Sequence, residues 1–230
     1  MKYRNLFFDL DDTIWAFSRN ARDTFEEVYR KYSFERYFDS FDHYYTIYQQ
    51  RNTELWIEYG EGKITKDELN RQRFSYPLQA VGVEDETLAE KFSKDFFAII
   101  PTKSTLMPHA KEVLEYLAPK YNLYILSNGF RELQSCKMRS AGVDGYFKKV
   151  ILSEDLGVLK PWPEIFNFAL SATQSELRES LMIGDSWEAD ITGAHGVGMH
   201  QVFYNVTERT AFPFLPTYHI HSLKELMDLL

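Results

Sequence analysis

The sequence predicts an α/β protein in which a doubly wound parallel sheet is interrupted, after its first strand, by an α-helical insert. Two observations support this fold class. From about residue 103 onward, segments with strand character alternate with segments of helical character, a pattern typical of a parallel sheet covered on both faces. Residues 16–102 show helical periodicity and no strand pattern. A chain of 230 residues is long enough for such a core and a smaller inserted domain.

The first predicted strand ends on an acidic residue. Residues 4–9 read Arg-Asn-Leu-Phe-Phe-Asp, and a run that is apolar on both faces is typical of a central parallel strand. We therefore expect residues 1–15 to form the core domain together with residues 103–230, and residues 16–102 to form a helical cap domain.

Four segments of the insert carry apolar residues at three- and four-residue spacing, as amphipathic helices do. They cover residues 22–32, 41–59, 65–80 and 85–99. Thr65 is followed three residues later by Glu68, which matches a capping box at the start of the third helix. The insert is thus expected to be entirely helical.

The second half of the chain alternates between the two patterns. The predicted helices are residues 109–117, 130–140, 163–171, 187–193 and 222–230. The predicted strands are residues 122–126, 149–152, 180–183 and 201–204. Polar residues follow several of these strands, at the sheet edge where doubly wound proteins bind their ligands.

Composition excludes several classes of function. A formal net charge of -8 argues against binding long nucleic acid, whose phosphates require a basic surface, although a single nucleotide remains possible. The single cysteine, Cys136, cannot form an internal disulfide, so we expect a reducing compartment such as the cytoplasm. No apolar run has the length of a signal peptide core or a membrane span, so neither export nor a membrane partner is expected.

Asp9 and Asp11 are the first candidate functional residues. Their i, i+2 spacing after the first strand can direct both carboxylates to one side of the chain. One carboxylate would then be able to attack a substrate while the other transfers a proton. An ordinary acidic turn is the alternative for this pair taken alone.

Two further motifs favour an anionic ligand. Ser127-Asn128 ends a strand and precedes a helix, where a hydroxyl and free backbone N–H groups can bind a phosphate, although an ordinary helix N-cap uses the same residues. Lys160-Pro161 precedes another helix, and a cation at a helix N-terminus opposes the helix dipole unless an anion lies nearby.

The fourth motif supplies more carboxylates. Asp185 lies just after the strand predicted at residues 180–183, and Asp190 follows it in a helical turn, where an acidic residue is also favourable for the helix itself. Carboxylates that converge in one crevice raise each other's pKa unless a cation keeps them ionised. Mg²⁺ prefers such oxygen ligands and shares them with substrate phosphates, so we expect it as the cofactor.

As a set and in this order, the four motifs resemble those of the haloacid dehalogenase superfamily of phosphohydrolases, and the insert resembles that family's helical cap. The resemblance implies that Asp9 attacks phosphorus to form an aspartyl-phosphate and that Asp11 acts as general acid and base. It also implies the remaining roles. Mg²⁺ would bind the Asp9 carboxylate, the Asp11 backbone carbonyl and Asp185, oriented by Thr13 and Asp190, while the phosphoryl group would bind Ser127, Asn128 and Lys160.

Further stretches resemble the bacterial 5'-nucleotidase branch of this superfamily, which hydrolyses pyrimidine or noncanonical nucleoside monophosphates in the cytoplasm. They are residues 55–59, 62–65, 127–130 and 153–161. Trp15, Phe17 and Phe130 are candidates for stacking on a base, with core packing as the alternative. A sugar-phosphate or phosphoglycolate phosphatase is the competing enzyme. A phospho-accepting receiver module is disfavoured, because such a module is shorter and has no helical insert.

Overall fold

The computed structural model describes residues 2–230 and divides into two compact units. One unit comprises the chain up to Ser18 together with Ser104–Leu230, and the other comprises Arg19–Lys103. We refer to them as the α/β unit and the helical unit. Within residues 2–230, no helix has both the length and the apolar character that crossing a bilayer requires.

The α/β unit is built on a six-stranded parallel sheet, which confirms the predicted fold class. The strand order is β3-β2-β1-β4-β5-β6. The strands are β1 Asn5–Phe8, β2 Asn122–Ser127, β3 Lys149–Leu152, β4 Ser180–Gly184, β5 His200–Tyr204 and β6 Tyr218–Ile220. The sequence did not predict β6, because an edge strand of three residues is too short to show a period.

Helices connect these strands in the α/β unit. They are α5 Ala110–Leu117, α6 Arg131–Ser140, α7 Pro163–Thr173, α8 Thr192–Gly196 and α9 Leu226–Leu229. The helix predicted at residues 187–193 begins instead as a π-helical turn, Trp187–Ile191, and continues into α8. The helix predicted at residues 222–230 is a 3-10 turn, Leu223–Glu225, followed by α9.

The central strand β1 lies at the switch point of the sheet. From β1 the chain passes to β2 and β3 on one side and then crosses over to β4, β5 and β6 on the other. All four residues of β1 are buried, as the apolar run predicts for a central strand. The carboxyl ends of β1, β2 and β4 therefore lie side by side, and doubly wound folds bind ligands at this kind of position.

The helical unit contains four long helices that run close to the predicted ranges. They are α1 Phe17–Lys31, which starts just before the unit boundary, α2 Phe41–Gly60, α3 Lys66–Ala80 and α4 Glu86–Ile99. The predicted capping box is confirmed, because the Thr65 side chain accepts a hydrogen bond from Glu68 N–H while the Glu68 carboxylate accepts one from Thr65 N–H. Only α1 begins well before its predicted start at Arg22.

Aromatic rings fill the interior of the helical unit. Phe25 lies at the centre of this aromatic core, with six ring neighbours at centroid distances of 4.1–6.1 Å: Tyr44, Tyr45, Tyr48, Phe74, Phe92 and Phe96. The high aromatic content of the first half of the chain is therefore explained by packing.

Candidate active site

Asp9 directly follows β1 and is held against the neighbouring strand β4. Its backbone N–H donates to the carbonyl of Ile183 at 2.9 Å, so its position continues the sheet ladder. The carboxylate is nearly buried, and its Oδ1 accepts a hydrogen bond of 2.6 Å from the Lys160 ammonium. The structure thus presents Asp9 as a fixed carboxylate at the centre of the switch point.

Lys160 is a buried cation whose donors are matched by three acceptors. Its Nζ donates to Asp9 Oδ1 at 2.6 Å, to Asp190 Oδ1 at 2.6 Å and to the Leu126 carbonyl at 2.7 Å. Burial alone would lower the Lys160 pKa, but the Asp190 and Asp9 carboxylates more than offset it, and the net direction is upward. Lys160 therefore stays charged, and a buried charge of this kind persists only when it is paired.

Asp190 has no solvent exposure and serves to hold Lys160. Its second carboxylate oxygen accepts from the Ser186 N–H at 3.1 Å. Gly184, at the end of β4, makes room for this carboxylate, because a Cβ there would lie 2.1 Å from Asp190 Oδ2. Both carboxylate oxygens of Asp190 are therefore engaged in hydrogen bonds, and its orienting role stays a prediction.

Thr13 and Asp185 form a second local pair. The Thr13 hydroxyl donates to Asp185 Oδ1 at 3.0 Å and accepts from the Asp185 N–H at 3.1 Å. These two bonds fix the carboxylate that the sequence assigns to the metal. Thr13 itself is fully buried, and its role of orienting a metal ligand stays a prediction.

Three carboxylates converge beside Lys160. Asp9, Asp185 and Asp190 bring one oxygen each to within 4.8 Å of one another. Burial, followed by the charge of Asp9, raises the pKa of Asp185 to about 8. Burial also raises the pKa of Asp9, to about 7, against the opposing effect of Lys160. A divalent cation would relieve this repulsion, so the donor set fits a hard metal ion with oxygen ligands.

Asp11 points toward helix α6 rather than toward this carboxylate cluster. Its carboxylate accepts hydrogen bonds from Lys137 Nζ at 2.8 and 3.1 Å and from Gln134 Nε2 at 3.0 Å. Neither α6 residue was identified from the sequence. Their i, i+3 spacing puts them on one helix face, but the polar residues around them hide that signal.

Ser127 and Asn128 differ in what their side chains do. The Ser127 Oγ accepts hydrogen bonds from Gly129 N–H at 3.1 Å and from Gln134 Nε2 at 2.8 Å, which leaves its own proton available for a ligand. The Asn128 side chain instead accepts from the Lys160 N–H at 2.8 Å and donates to the Lys160 carbonyl at 3.0 Å. The Asn128 side chain is therefore engaged by the Lys160 backbone, and a contact of Asn128 with phosphate stays a prediction.

Asp12, which directly follows the predicted proton donor Asp11, adopts a left-handed backbone conformation with φ 58°. Asp tolerates this region better than most residues. Its carboxylate accepts from the N–H and the hydroxyl of Ser18, at 2.8 and 2.6 Å, in the first turn of α1. This residue thus shapes the loop that carries Asp11 and Thr13.

The aromatic residues near the motifs are mainly packing residues. The sequence offered Trp15 and Phe130 as candidates for stacking on a base. Trp15 is fully buried and Phe130 is 3% exposed, so neither ring presents a surface to a base in this structure. The Lys137 ammonium lies 4.8 Å from the Trp15 ring centre and 5.0 Å from that of Phe17. Trp15 and Phe17 therefore contribute to the surroundings of a buried cation.

Several known proteins are similar to this chain over its full length. A family model described as haloacid dehalogenase-like hydrolase matches residues 3–198. The chain belongs to this hydrolase family. Among its relatives is the HAD-hydrolase YfnB of Bacillus subtilis, 33% identical over 100% of this chain and 96% of its own length. A crystal structure of YfnB bound to magnesium has a TM-score of 0.89 at 29% identity, covering 100% of this chain and 99% of that one.

Two further relatives of this family member carry a named activity. Pyrimidine 5'-nucleotidase YjjG of Escherichia coli is 32% identical over 100% of this chain and 99% of its own length. Pyrimidine 5'-nucleotidase PynA of Streptococcus pneumoniae is 31% identical over 100% of this chain and 96% of its own length. Full-length similarity of this kind includes the helical unit, which lies outside the strand-end motifs.

Proposed function

We propose that this enzyme is a Mg²⁺-dependent phosphatase of nucleoside 5'-monophosphates that acts through an aspartyl-phosphate on Asp9. The observation that carries the proposal is the convergence of Asp9, Asp185 and Asp190 to within 4.8 Å around a buried, charged Lys160. The similarity to two pyrimidine 5'-nucleotidases supports the substrate class. We further propose a cytoplasmic location, because the single cysteine cannot form an internal disulfide.

In the first half-reaction, the Asp9 oxygen that is not bonded to Lys160 attacks phosphorus. A phosphorus–oxygen bond to Asp9 forms as the bond to the nucleoside oxygen breaks, and Asp11 donates a proton to that leaving oxygen. Lys160 stays in contact with the carboxylate and balances negative charge in the site. The Ser127 hydroxyl proton is available to the transferring phosphoryl group.

In the second half-reaction, water attacks the phosphorus of the aspartyl-phosphate. Asp11, now ionised, accepts a proton from that water, and cleavage of the phosphorus–oxygen bond releases inorganic phosphate and restores the Asp9 carboxylate. Mg²⁺ held by Asp9, Asp185 and the Asp11 carbonyl would supply positive charge to the phosphoryl oxygens and keep the carboxylates ionised.

A phosphate-release assay tests the proposal. The purified enzyme is assayed with UMP, dTMP, glucose 6-phosphate and phosphoglycolate, in Mg²⁺ and in EDTA, alongside Asp9→Asn and the exposed control Asp144→Asn. We expect the nucleotides to be preferred, and both EDTA and Asp9→Asn to abolish release while Asp144→Asn does not. Preference for the sugar phosphate or phosphoglycolate would assign the competing phosphatase function, and activity that survives in Asp9→Asn would refute the mechanism.

A further inference from the structure

The contacts of Asp11 on helix α6 have no place in the mechanism above. Lys137 Nζ lies 2.8 Å from one carboxylate oxygen of Asp11 and 3.1 Å from the other, so one ammonium spans both. Gln134 adds a third hydrogen bond at 3.0 Å. The Asp11 carboxylate is thus held in one orientation by two side chains one helical turn apart.

Lys137 and Gln134, which make these contacts with Asp11, are both buried side chains. Lys137 is 2% exposed and Gln134 is fully buried, although both are residue types that usually lie at the surface. The rings of Trp15 and Phe17 flank the ammonium at 4.8 and 5.0 Å, which fixes it from a second direction. The Asp11 side chain is 26% exposed to solvent, so its carboxylate is accessible to a substrate.

Gln134 also connects Asp11 to a predicted phosphate-binding residue. Its Nε2 donates to Asp11 Oδ2 at 3.0 Å and to Ser127 Oγ at 2.8 Å. Its buried Oε1 has no hydrogen-bond partner in the described structure. Leaving a buried acceptor unpaired costs about 1–3 kcal/mol, and in this orientation the Nε2 donates to both Asp11 and Ser127.

Gly129 provides the space for this amide. A Cβ at this position would lie 2.1 Å from Gln134 Nε2 and 2.5 Å from its Cδ. The backbone of Gly129 is also tied to the site, since its N–H donates to Ser127 Oγ at 3.1 Å. A glycine here allows the Gln134 side chain to reach between Ser127 and Asp11.

From these contacts we infer that Lys137 and Gln134 are positioning residues that fix the Asp11 carboxylate for proton transfer to the leaving oxygen. Gln134 hydrogen-bonds both Asp11 and Ser127. It therefore fixes the position of the proton donor, Asp11, relative to Ser127, which is proposed to bind the phosphoryl group. This inference rests on the proposed function. It predicts that losing the pair harms the reaction in proportion to how much the leaving group needs a proton.

The test compares two leaving groups. UMP releases a nucleoside alkoxide that must be protonated, whereas 4-nitrophenyl phosphate releases a stable phenolate. For Lys137→Met and Gln134→Leu we expect kcat/KM with UMP to fall about 100-fold, which is within the range of general acid catalysis. With 4-nitrophenyl phosphate we expect kcat/KM to fall less than about tenfold. Asp11→Asn sets the maximum difference, and the exposed Lys111→Met is the control that changes neither.

A double substitution separates positioning from a structural role. If Lys137 acts through Asp11, adding Lys137→Met to Asp11→Asn lowers kcat/KM with UMP by less than about threefold more, because the two effects are not additive. The inference would be overturned if the single variants lost kcat/KM equally with both substrates. It would also be overturned if the effects of Lys137→Met and Asp11→Asn were fully additive. If Lys137→Met does not fold, Gly129→Ala serves as the second variant, because an added Cβ would collide with the Gln134 side chain. We expect it to show the same substrate-dependent loss.

The wild-type rates distinguish a failure of the proposed function from a failure of the role of Lys137 and Gln134. A wild-type enzyme that hydrolyses neither substrate refutes the proposed function itself. A wild-type enzyme that hydrolyses both, with variants that lose the two activities equally, leaves the phosphatase intact and refutes only the role of Lys137 and Gln134.

Discussion

The two units of this protein bury different kinds of side chain. At the strand ends of the α/β unit the buried groups include charges and amides: Asp9, Asp190, Lys160, Lys137 and Gln134. In the helical unit, aromatic rings are the largest group of buried side chains. Its one buried arginine, Arg73, lies over Phe74 and Phe97 with its Nε lacking a hydrogen-bond partner in the described structure.

This contrast separates chemistry from stability. Buried rings gain free energy from apolar burial and tolerate small changes in geometry. Buried charges contribute little net stability, but each one fixes the position of its partners, and losing one partner leaves the other unpaired. Substitutions in the α/β site should therefore affect activity most, and substitutions in the helical unit should affect the free energy of unfolding.

Among substitutions of the buried lysines, the largest effect is expected from Lys160→Met. This substitution removes the only ammonium shared by Asp9 and Asp190 within residues 2–230, so two buried carboxylates lose their partner. We expect kcat with the preferred phosphomonoester to fall about 1000-fold. Steady-state phosphate release measures this, with Lys111→Met as the exposed control. A loss below tenfold would show that Lys160 is dispensable.

In the helical unit, Phe92→Ala should give the largest loss of stability. The Phe92 ring lies 4.8 Å from that of Phe34 and 5.6 Å from that of Tyr44, and the side chain is buried. Removing it leaves a cavity, and we expect the free energy of unfolding to fall by about 3–5 kcal/mol. Urea titration measures the change. The exposed Ile57→Ala should shift it by less than about 0.5 kcal/mol, and equal shifts would contradict the assigned packing.

Asp185→Asn should stabilise the metal-free protein in a pH-dependent way. Burial and the Asp9 charge raise the pKa of Asp185 from 3.8 to about 8. Between these values the folded state retains a proton that the unfolded state has lost, so this group lowers stability as pH rises from about 4 to 8.

In EDTA at pH 8.5 we therefore expect Asp185→Asn to unfold at a temperature about 2–8 °C higher than wild type. This corresponds to a gain in the free energy of unfolding on the order of 1–2 kcal/mol. The difference should vanish near pH 4. Thermal melts across this range measure it. A difference that is constant with pH would mean that the carboxylate is not the cause.

The smallest effect is expected at the capping box of α3. Thr65→Ala removes the acceptor for Glu68 N–H and should lower the free energy of unfolding by about 1 kcal/mol. Thr53→Ala, an exposed substitution in the middle of α2, is the matched control and should change it by less than about 0.5 kcal/mol. Equal changes would show that the capping box contributes nothing specific.

The sequence by itself determined the fold class and the strand-end motifs. Short-range patterns encode these features, because a buried strand needs an apolar run and a helix needs a three- to four-residue period. Once a parallel sheet was inferred, its geometry brought Asp9, Ser127 and Asp185 to one edge without further information. The sequence did not predict the edge strand β6 or the π-helical form of the turn after β4, because each segment is too short to show a period.

Only the tertiary structure decided how the side chains pair. Lys137 meets Asp11 across 126 residues, and the Asn128 side chain holds the backbone of Lys160 rather than pointing to a phosphate. Gly129 and Gly184 matter because the side chains of Gln134 and Asp190, which follow them in the next helical turn, occupy the space of their missing Cβ atoms. Such pairings depend on distances between elements far apart in the chain, which local periodicity does not contain.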